Sequence, residues 1–186
     1  MKIGVSGAKG SFTEQAANQY CRENGVEGAE IVYLTFVEQV LEALESGQID
    51  TGIFAIENSN GGVVTEYLPA IAAHRFRIER IFEMNVEHML MVLPGTRREE
   101  VKQIVSQNQA LRQCRLYIKR VWPDADVKEY VDTATAAKDL HEGTLDKDSA
   151  VVAPKSAAEL YGLEILEASI QDLKFNFTTF IVAKQA

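Results

Sequence analysis

EIVYLTFVEQVLEALESGQIDTGIFAIEN, residues 30–58, reads as strand, helix, strand. Glu30–Leu34 is a short apolar run, the spacing turns helical over Val37–Glu45, and Gly47 follows as a helix stop. Thr51–Ile56 is then a second strand. A βαβ unit of this kind places the chain among α/β proteins.

The same alternation extends in both directions. Upstream, Lys2–Val5 reads as a strand and Thr13–Asn24 as a helix closed by Gly25. Downstream, a glycine-rich turn after Asn58 leads to a helix over Val63–Ala73, and Arg77–Leu93 reads as two strand segments broken around Asn85. From Arg97 onward the pattern predicts helices over Arg98–Val105 and Gln109–Val121, a strand over Val127–Val131 and a helix over Ala134–His141. The polar stretch Glu142–Asp148 is a surface loop, Ala150–Ala153 a short buried strand, and Pro154 the start of a helix ended by Gly162. Phe175–Ala183 closes the chain as a strand.

Two consecutive strands in the middle of the order mark a change of plan. Two βαβ-rich lobes explain it better than one continuous sheet, with lobe 1 over 1–82 plus 170–186 and lobe 2 over 83–169. A cleft between such lobes is the natural ligand site.

Composition narrows the partners. Of 186 residues, 46% are hydrophobic and 25% charged, ordinary for a soluble globular chain, and no apolar run reaches the roughly 20 residues of a membrane span. The N-terminus enters a strand instead of a signal-peptide core, so a cytoplasmic location is expected. A net charge of -8 without clustered Lys and Arg argues against nucleic acid and against a membrane surface. Cys21 and Cys114 are too far apart for a CxxC pair, and His74, His88 and His141 have no metal-site spacing, so no metal is expected.

Three polar helix starts are candidate anion sites. Gly4 to Glu14 runs strand, glycine turn and Ser11-x-x-Glu14, a capping-box pattern whose N–H groups suit a carboxylate or phosphate. Ser106-x-x-Gln109 and Asp132-Thr133-Ala134-Thr135 repeat the device after strands. Each is equally well a plain cap. The turn Glu57-Asn58-Ser59-Asn60-Gly61-Gly62 ends an apolar strand, with Asn58 and Ser59 suited to hydrogen-bond a ligand and Glu57 to fix the turn. No Ser/His/Asp triad and no paired carboxylates emerge.

Taken in order, these segments resemble the prephenate dehydratase family over nearly the whole chain. Gly7-Ala8-Lys9-Gly10-Ser11-Phe12-Thr13-Glu14 is similar to that family's Gly-Pro-x-Gly-Thr/Ser-Phe-Thr opening, and Ile56-Glu57-Asn58-Ser59 to its Ile-Glu-Asn-Ser segment. His88 with Leu90, Ser106 with Gln109-Ala110-Leu111 and Gln113-Cys114, Thr133 to Ala137, and Ile170-Gln171-Asp172 resemble later blocks, and Asn176, Thr178 and Phe180 match Asn-x-Thr-Arg-Phe.

The resemblance implies two α/β lobes like those of type II periplasmic binding proteins, and decarboxylative dehydration of prephenate, or of the related arogenate, to an aromatic product without cofactor. It implies Thr178 as general acid, with Ser11, Phe12, Asn58, Ser59, Ser106, Gln109, Ala110, Thr133, Thr135, Asn176, Thr179 and Phe180 around the substrate. It also implies a homodimer, and a catalytic domain without the phenylalanine-sensing ACT domain or the chorismate mutase domain found in relatives. Thr179 departs from the family arginine, and losing that bidentate partner is expected to cost about ten- to hundredfold in affinity or rate. Two further readings stay open: a decarboxylase that releases carbon dioxide without aromatising, and a small-carboxylate binding protein that has lost catalysis.

Overall fold

The computed structural model describes residues 1–186 as two compact units, Met1–Asn85 with Phe177–Ala186, and Val86–Asn176.

In the first unit the chain runs β1 (Lys2–Ser6), α1 (Phe12–Glu23), β2 (Glu30–Leu34), α2 (Val37–Glu45), β3 (Thr51–Asn58), the short β4 (Gly62–Val63), α3 (Leu68–Ala73) and β5 (Phe76–Asn85). In the second it continues with β6 (Met89–Val92), β7 (Gln103–Gln107), α4 (Asn108–Gln113), α5 (Arg115–Val121), β8 (Asp126–Tyr130), α6 (Thr133–His141), β9 (Ser149–Ala153), α7 (Lys155–Tyr161) and β10 (Glu164–Glu167). The last strand, β11 (Phe177–Gln185), belongs to the first unit.

The first sheet has the order β2-β1-β3-β11-β5 with β4 attached to β3; β11 runs antiparallel to both neighbours. Strand alternation sends Ile3, Val5, Ile53, Phe180 and Val182 to a core under α1, and Phe54, Ile181 and Ala183 to one under α2 and α3. Helix α2 drives Val37, Val40, Leu41 and Leu44 into that second core, each contributing about 1.5–3 kcal/mol on burial. It lies close to the sheet because Gly52 offers no side chain: a Cβ there would stand 2.8 Å from Val40 Cγ1.

The second sheet has the order β10-β6-β9-β7-β8, with β7 parallel to β8 and β9. Its centre, Ser149-Ala-Val-Val-Ala153, is buried at every residue, between α6 and α7 on one face and α4 and α5 on the other.

Several expectations need correction. Arg98–Val105 is not a helix: after one 3-10 turn at Arg98–Glu100 the chain enters β7, because the β-branched pair Ile104-Val105 completes a ladder between β8 and β9. The helix expected over Gln109–Val121 breaks at Cys114, and the Asp172 carboxylate accepts from Leu116 N and Tyr117 N at 2.9 and 2.8 Å, capping a new helix. Only Leu68–Ala73 of the expected Val63–Ala73 helix is α-helical, since Pro69 fits the first turn of a helix but not its interior. β10 is a strand that apolar patterning did not mark. Residues 170–176 fall with the second unit, where Ile170 is buried against Leu90 and its N–H donates to His88 O at 2.9 Å.

Candidate active site

Strand β11 lies between β3 and β5, and its second residue, Thr178, stands in register with Asn58 and Met84. Asn58 is buried, and its amide is fully engaged. Nδ2 donates to Thr178 Oγ1 at 2.9 Å and to Phe177 O at 3.2 Å, while Oδ1 accepts from Asn60 N at 2.9 Å and Gly61 N at 2.8 Å. Ser59 completes the junction: its N–H donates to Phe177 O at 2.8 Å, and its hydroxyl accepts from Phe177 N at 3.0 Å. The side chains of Asn58 and Ser59, expected to bind a ligand directly, are thus committed to holding the start of β11. The Thr178 hydroxyl accepts from Asn58 and has no acceptor within the chain for its own proton. A half-buried hydroxyl oriented in this way is a donor.

Thr179 points to the other face. Side chains alternate along a strand, and Phe180 lies in the α1 core while Ile181 lies in the α2 core, so Thr178 shares the first face and Thr179 the second. The cross-strand partners of Thr179 are Glu57 and Glu83, both exposed. Phe180 is buried at 1% exposure and stacks on Phe82 with ring centroids 5.8 Å apart, in the core under α1.

The first glycine turn is built as a cap. Ser11 is the N-cap of α1, its hydroxyl accepting from Glu14 N at 3.3 Å, and Thr13 Oγ1 donates to Ser6 O at 3.0 Å. Glu14 accepts from Gly10 N and from the Tyr33 hydroxyl, fixing the loop from both sides. Phe12, the first helical residue, packs partly buried against the α1 core. Ser11 and Phe12 therefore shape the loop, whose Gly10 N–H meets the Glu14 carboxylate while Gly7 N and Ser11 N donate to Leu34 O and Ala8 O.

In the second unit β7 and β8 run parallel with Gln107 opposite Tyr130, which places the starts of α4 and α6 side by side beyond one sheet edge. The expected Ser106 cap is absent. Ser106 is fully buried at the end of β7 and donates to Val152 O at 2.6 Å, while Gln107 takes the N-cap position without a side-chain bond. Ala110 lies on the buried face of α4. Gln109 differs: its Nε2 is enclosed and meets no acceptor within the chain.

At the start of α6, Asp132 accepts from Ala134 N at 2.9 Å and Thr135 N at 2.8 Å, and also takes the Thr135 hydroxyl. Thr133 is buried beside it. A carboxylate of the chain itself therefore meets the Ala134 and Thr135 N–H groups at this helix start.

Asn176 is buried at 0% exposure; its Nδ2 donates to Val86 O at 3.0 Å and Gln113 Oε1 at 2.8 Å. Gln113 Oε1 also meets His88 Nε2 at 2.7 Å. Burial pushes the His88 pKa down to about 4, against the opposing effect of the Gln113 bond, and keeps the ring neutral at pH 7. The sequence gave no sign that these residues meet, because the linked members stand 25 to 90 positions apart. Cys21 and Cys114 are free thiols, and no three His, Cys, Asp or Glu side chains form a metal-binding group.

Comparison with known proteins gives consistent results. The family described as "Prephenate dehydratase" matches residues 3–186. Arogenate dehydratase 1 of Petunia hybrida is 32% identical over 182 residues, covering 98% of this chain and 42% of that protein. A prephenate dehydratase from Arthrobacter aurescens, solved in complex with L-Phe, superposes with a TM-score of 0.87 at 30% identity, covering 100% of this chain and 60% of that one. A periplasmic substrate-binding protein of an ABC transporter from Coxiella burnetii, at 15% identity and a TM-score of 0.50 over 97% of this chain and 84% of its own, shares the two-lobed α/β fold alone. The chain thus spans 42% and 60% of the length of these two dehydratases.

Proposed function

We propose, for a chain that belongs to the prephenate dehydratase family, that it catalyses decarboxylative dehydration of prephenate or arogenate with Thr178 as general acid. The observation that carries this reading is the 2.9 Å bond from Asn58 Nδ2 to Thr178 Oγ1, which leaves the threonine proton for a ligand.

In the reaction the bond between the ring carbon and the departing carboxylate breaks, and its electron pair enters the ring. The carbon–oxygen bond para to it breaks in turn, and the leaving hydroxide takes the Thr178 proton as water. Carbon dioxide and an aromatic ring result, and the threonine recovers its proton from solvent. Aromatisation supplies the driving force. The protein's task is to hold the acid in line and to stabilise charge developing on Oγ1. The Asn58 N–H does the latter without reorganisation, a contribution of about 2.7–4 kcal/mol when such a donor is removed from other enzymes.

Thr179 is compatible with activity because strand alternation directs its side chain away from the Thr178 face.

The test is to supply the purified chain with prephenate and, separately, arogenate, and to follow the aromatic product and carbon dioxide, with Thr178→Val alongside. Aromatic product from the wild type that falls at least hundredfold in the variant, with substrate affinity within a few fold, supports the reading. Carbon dioxide without aromatic product points to a simple decarboxylase, and binding without either product to a carboxylate-binding protein.

A further inference from the structure

We infer that His88 and Gln113 are positioning residues, holding Asn176 and through it the point at which β11 delivers Thr178. The inference rests on the reading of Thr178 as the acid.

Val86 O can only accept, so the group that Asn176 turns to it at 3.0 Å is the amide nitrogen. The same nitrogen reaches Gln113 at 2.8 Å, and Gln113 must present its oxygen there. That oxygen is also 2.7 Å from His88 Nε2, so this ring nitrogen carries the proton. Orientation passes in one direction, from Val86 through Asn176 and Gln113 to the histidine, and no member can flip without leaving a buried donor or acceptor unpaired. His88, Gln113 and Asn176 are 2%, 7% and 0% exposed, so water does not substitute.

The backbone around the three is fixed as well. Val86 N donates to Asn176 O at 2.7 Å, His88 N to Gln171 Oε1 at 3.1 Å, and Asp172 N to Gln113 O at 2.7 Å. The chain leaves the second unit at Asn176 and enters the first at Phe177, one residue before Thr178. Two covalent steps therefore separate the relay from the reacting hydroxyl. A displacement of Asn176 is carried into the start of β11, where about 1 Å is enough to lower turnover by about hundredfold.

The experiment compares wild type with His88→Leu, His88→Gln and Gln113→Met, reading steady-state kinetics on both substrates and amide hydrogen exchange across residues 176–179. His88→Gln keeps a donor near the Nε2 position, and Gln113→Met keeps volume without an acceptor. The expected result is faster exchange at 176–179 in His88→Leu and Gln113→Met, a kcat lower by about ten- to hundredfold with KM within about twofold, and recovery of most of both in His88→Gln. Should His88→Leu fail to fold, Gln113→Met carries the comparison. Unchanged exchange, or unchanged kcat in an active enzyme, overturns the relay. A wild type inactive on both substrates overturns the reading of Thr178 instead, and the exchange data then judge the relay alone.

Discussion

Asn58 and Thr178, 120 positions apart in the chain, meet through a single 2.9 Å hydrogen bond in which the amide donates and the hydroxyl accepts. The direction matters more than the distance. With its acceptor side occupied, the threonine is left as a donor, the role that protonation of a leaving hydroxide requires.

Replacing Asn58 by Asp removes the donor to Thr178 and retains the two acceptor contacts to Asn60 N and Gly61 N. The carboxylate also competes for the Thr178 proton. Turnover is expected to fall by about hundredfold or more, with helix and strand content by circular dichroism unchanged. Activity within threefold of wild type would show that Asn58 does not orient the acid.

Thr179→Arg introduces the arginine that the family resemblance implies, on a face that presents Glu57 and Glu83 on the two neighbouring strands. Exposed pairs of this kind contribute about 0.2–1 kcal/mol, weakened by salt. The expected outcome is a small rise in thermal stability at low ionic strength and a kcat within a few fold of wild type. A gain of tenfold or more would place the arginine in the catalytic step despite its orientation.

Gly7→Ala tests the first loop. Gly7 has φ +152°, and a Cβ there would stand 2.8 Å from Ser11 Oγ, the atom that caps α1. Losing such a cap costs about 0.5–2 kcal/mol, and strain at the glycine adds to it. Denaturant unfolding should show a loss of at least 1 kcal/mol in round figures, about the size set by the cap alone. Ser11→Ala, which removes the cap without the strain, should lose less.

His74 gives the chain a pH-dependent clasp between α2 and the end of α3. Its Nε2 and Nδ1 each lie 2.9 Å from a carboxylate, Glu38 and Glu45, and Arg75 N donates to Glu45 as well. The bonds to Glu38 and then Glu45 raise the His74 pKa above its ordinary value. Only the doubly protonated ring donates to both carboxylates, so the contribution is complete below about pH 6.5 and fades as pH rises through the folded-state value. The melting-temperature gap between wild type and His74→Ala should therefore be widest near pH 5.5 and narrow toward pH 9. A gap constant with pH would mean that His74 contributes packing alone.

Much of this molecule is legible in its sequence because the relevant signals are local. The limits of β2 and α2 follow from apolar spacing between Glu30 and Glu45, and Gly162 ends α7 with φ +64°, a conformation that costs glycine little. Family blocks such as Ile56-Glu57-Asn58-Ser59 and Asn176 to Phe180 also survive as short strings. Where local signals are ambiguous, the sequence misleads: Val101 and Val105 have helical spacing, yet Gln103–Gln107 is a strand because two neighbouring strands take its hydrogen bonds.

What the sequence determined by itself is the βαβ run of the first unit, the two-part α/β plan and the family resemblance that singles out Thr178. Tertiary structure alone decided what each polar side chain does. Ser106, Asn58 and Asn176 all look like ligand donors as letters, and in the fold Ser106 holds Val152, Asn58 aims Thr178, and Asn176 joins Val86 to Gln113. The physical reason is that a hydrogen bond lasts only over about 3 Å, whereas its partners here lie 46 to 120 residues apart. Which donor is left for a substrate is fixed only when every other donor has found its acceptor.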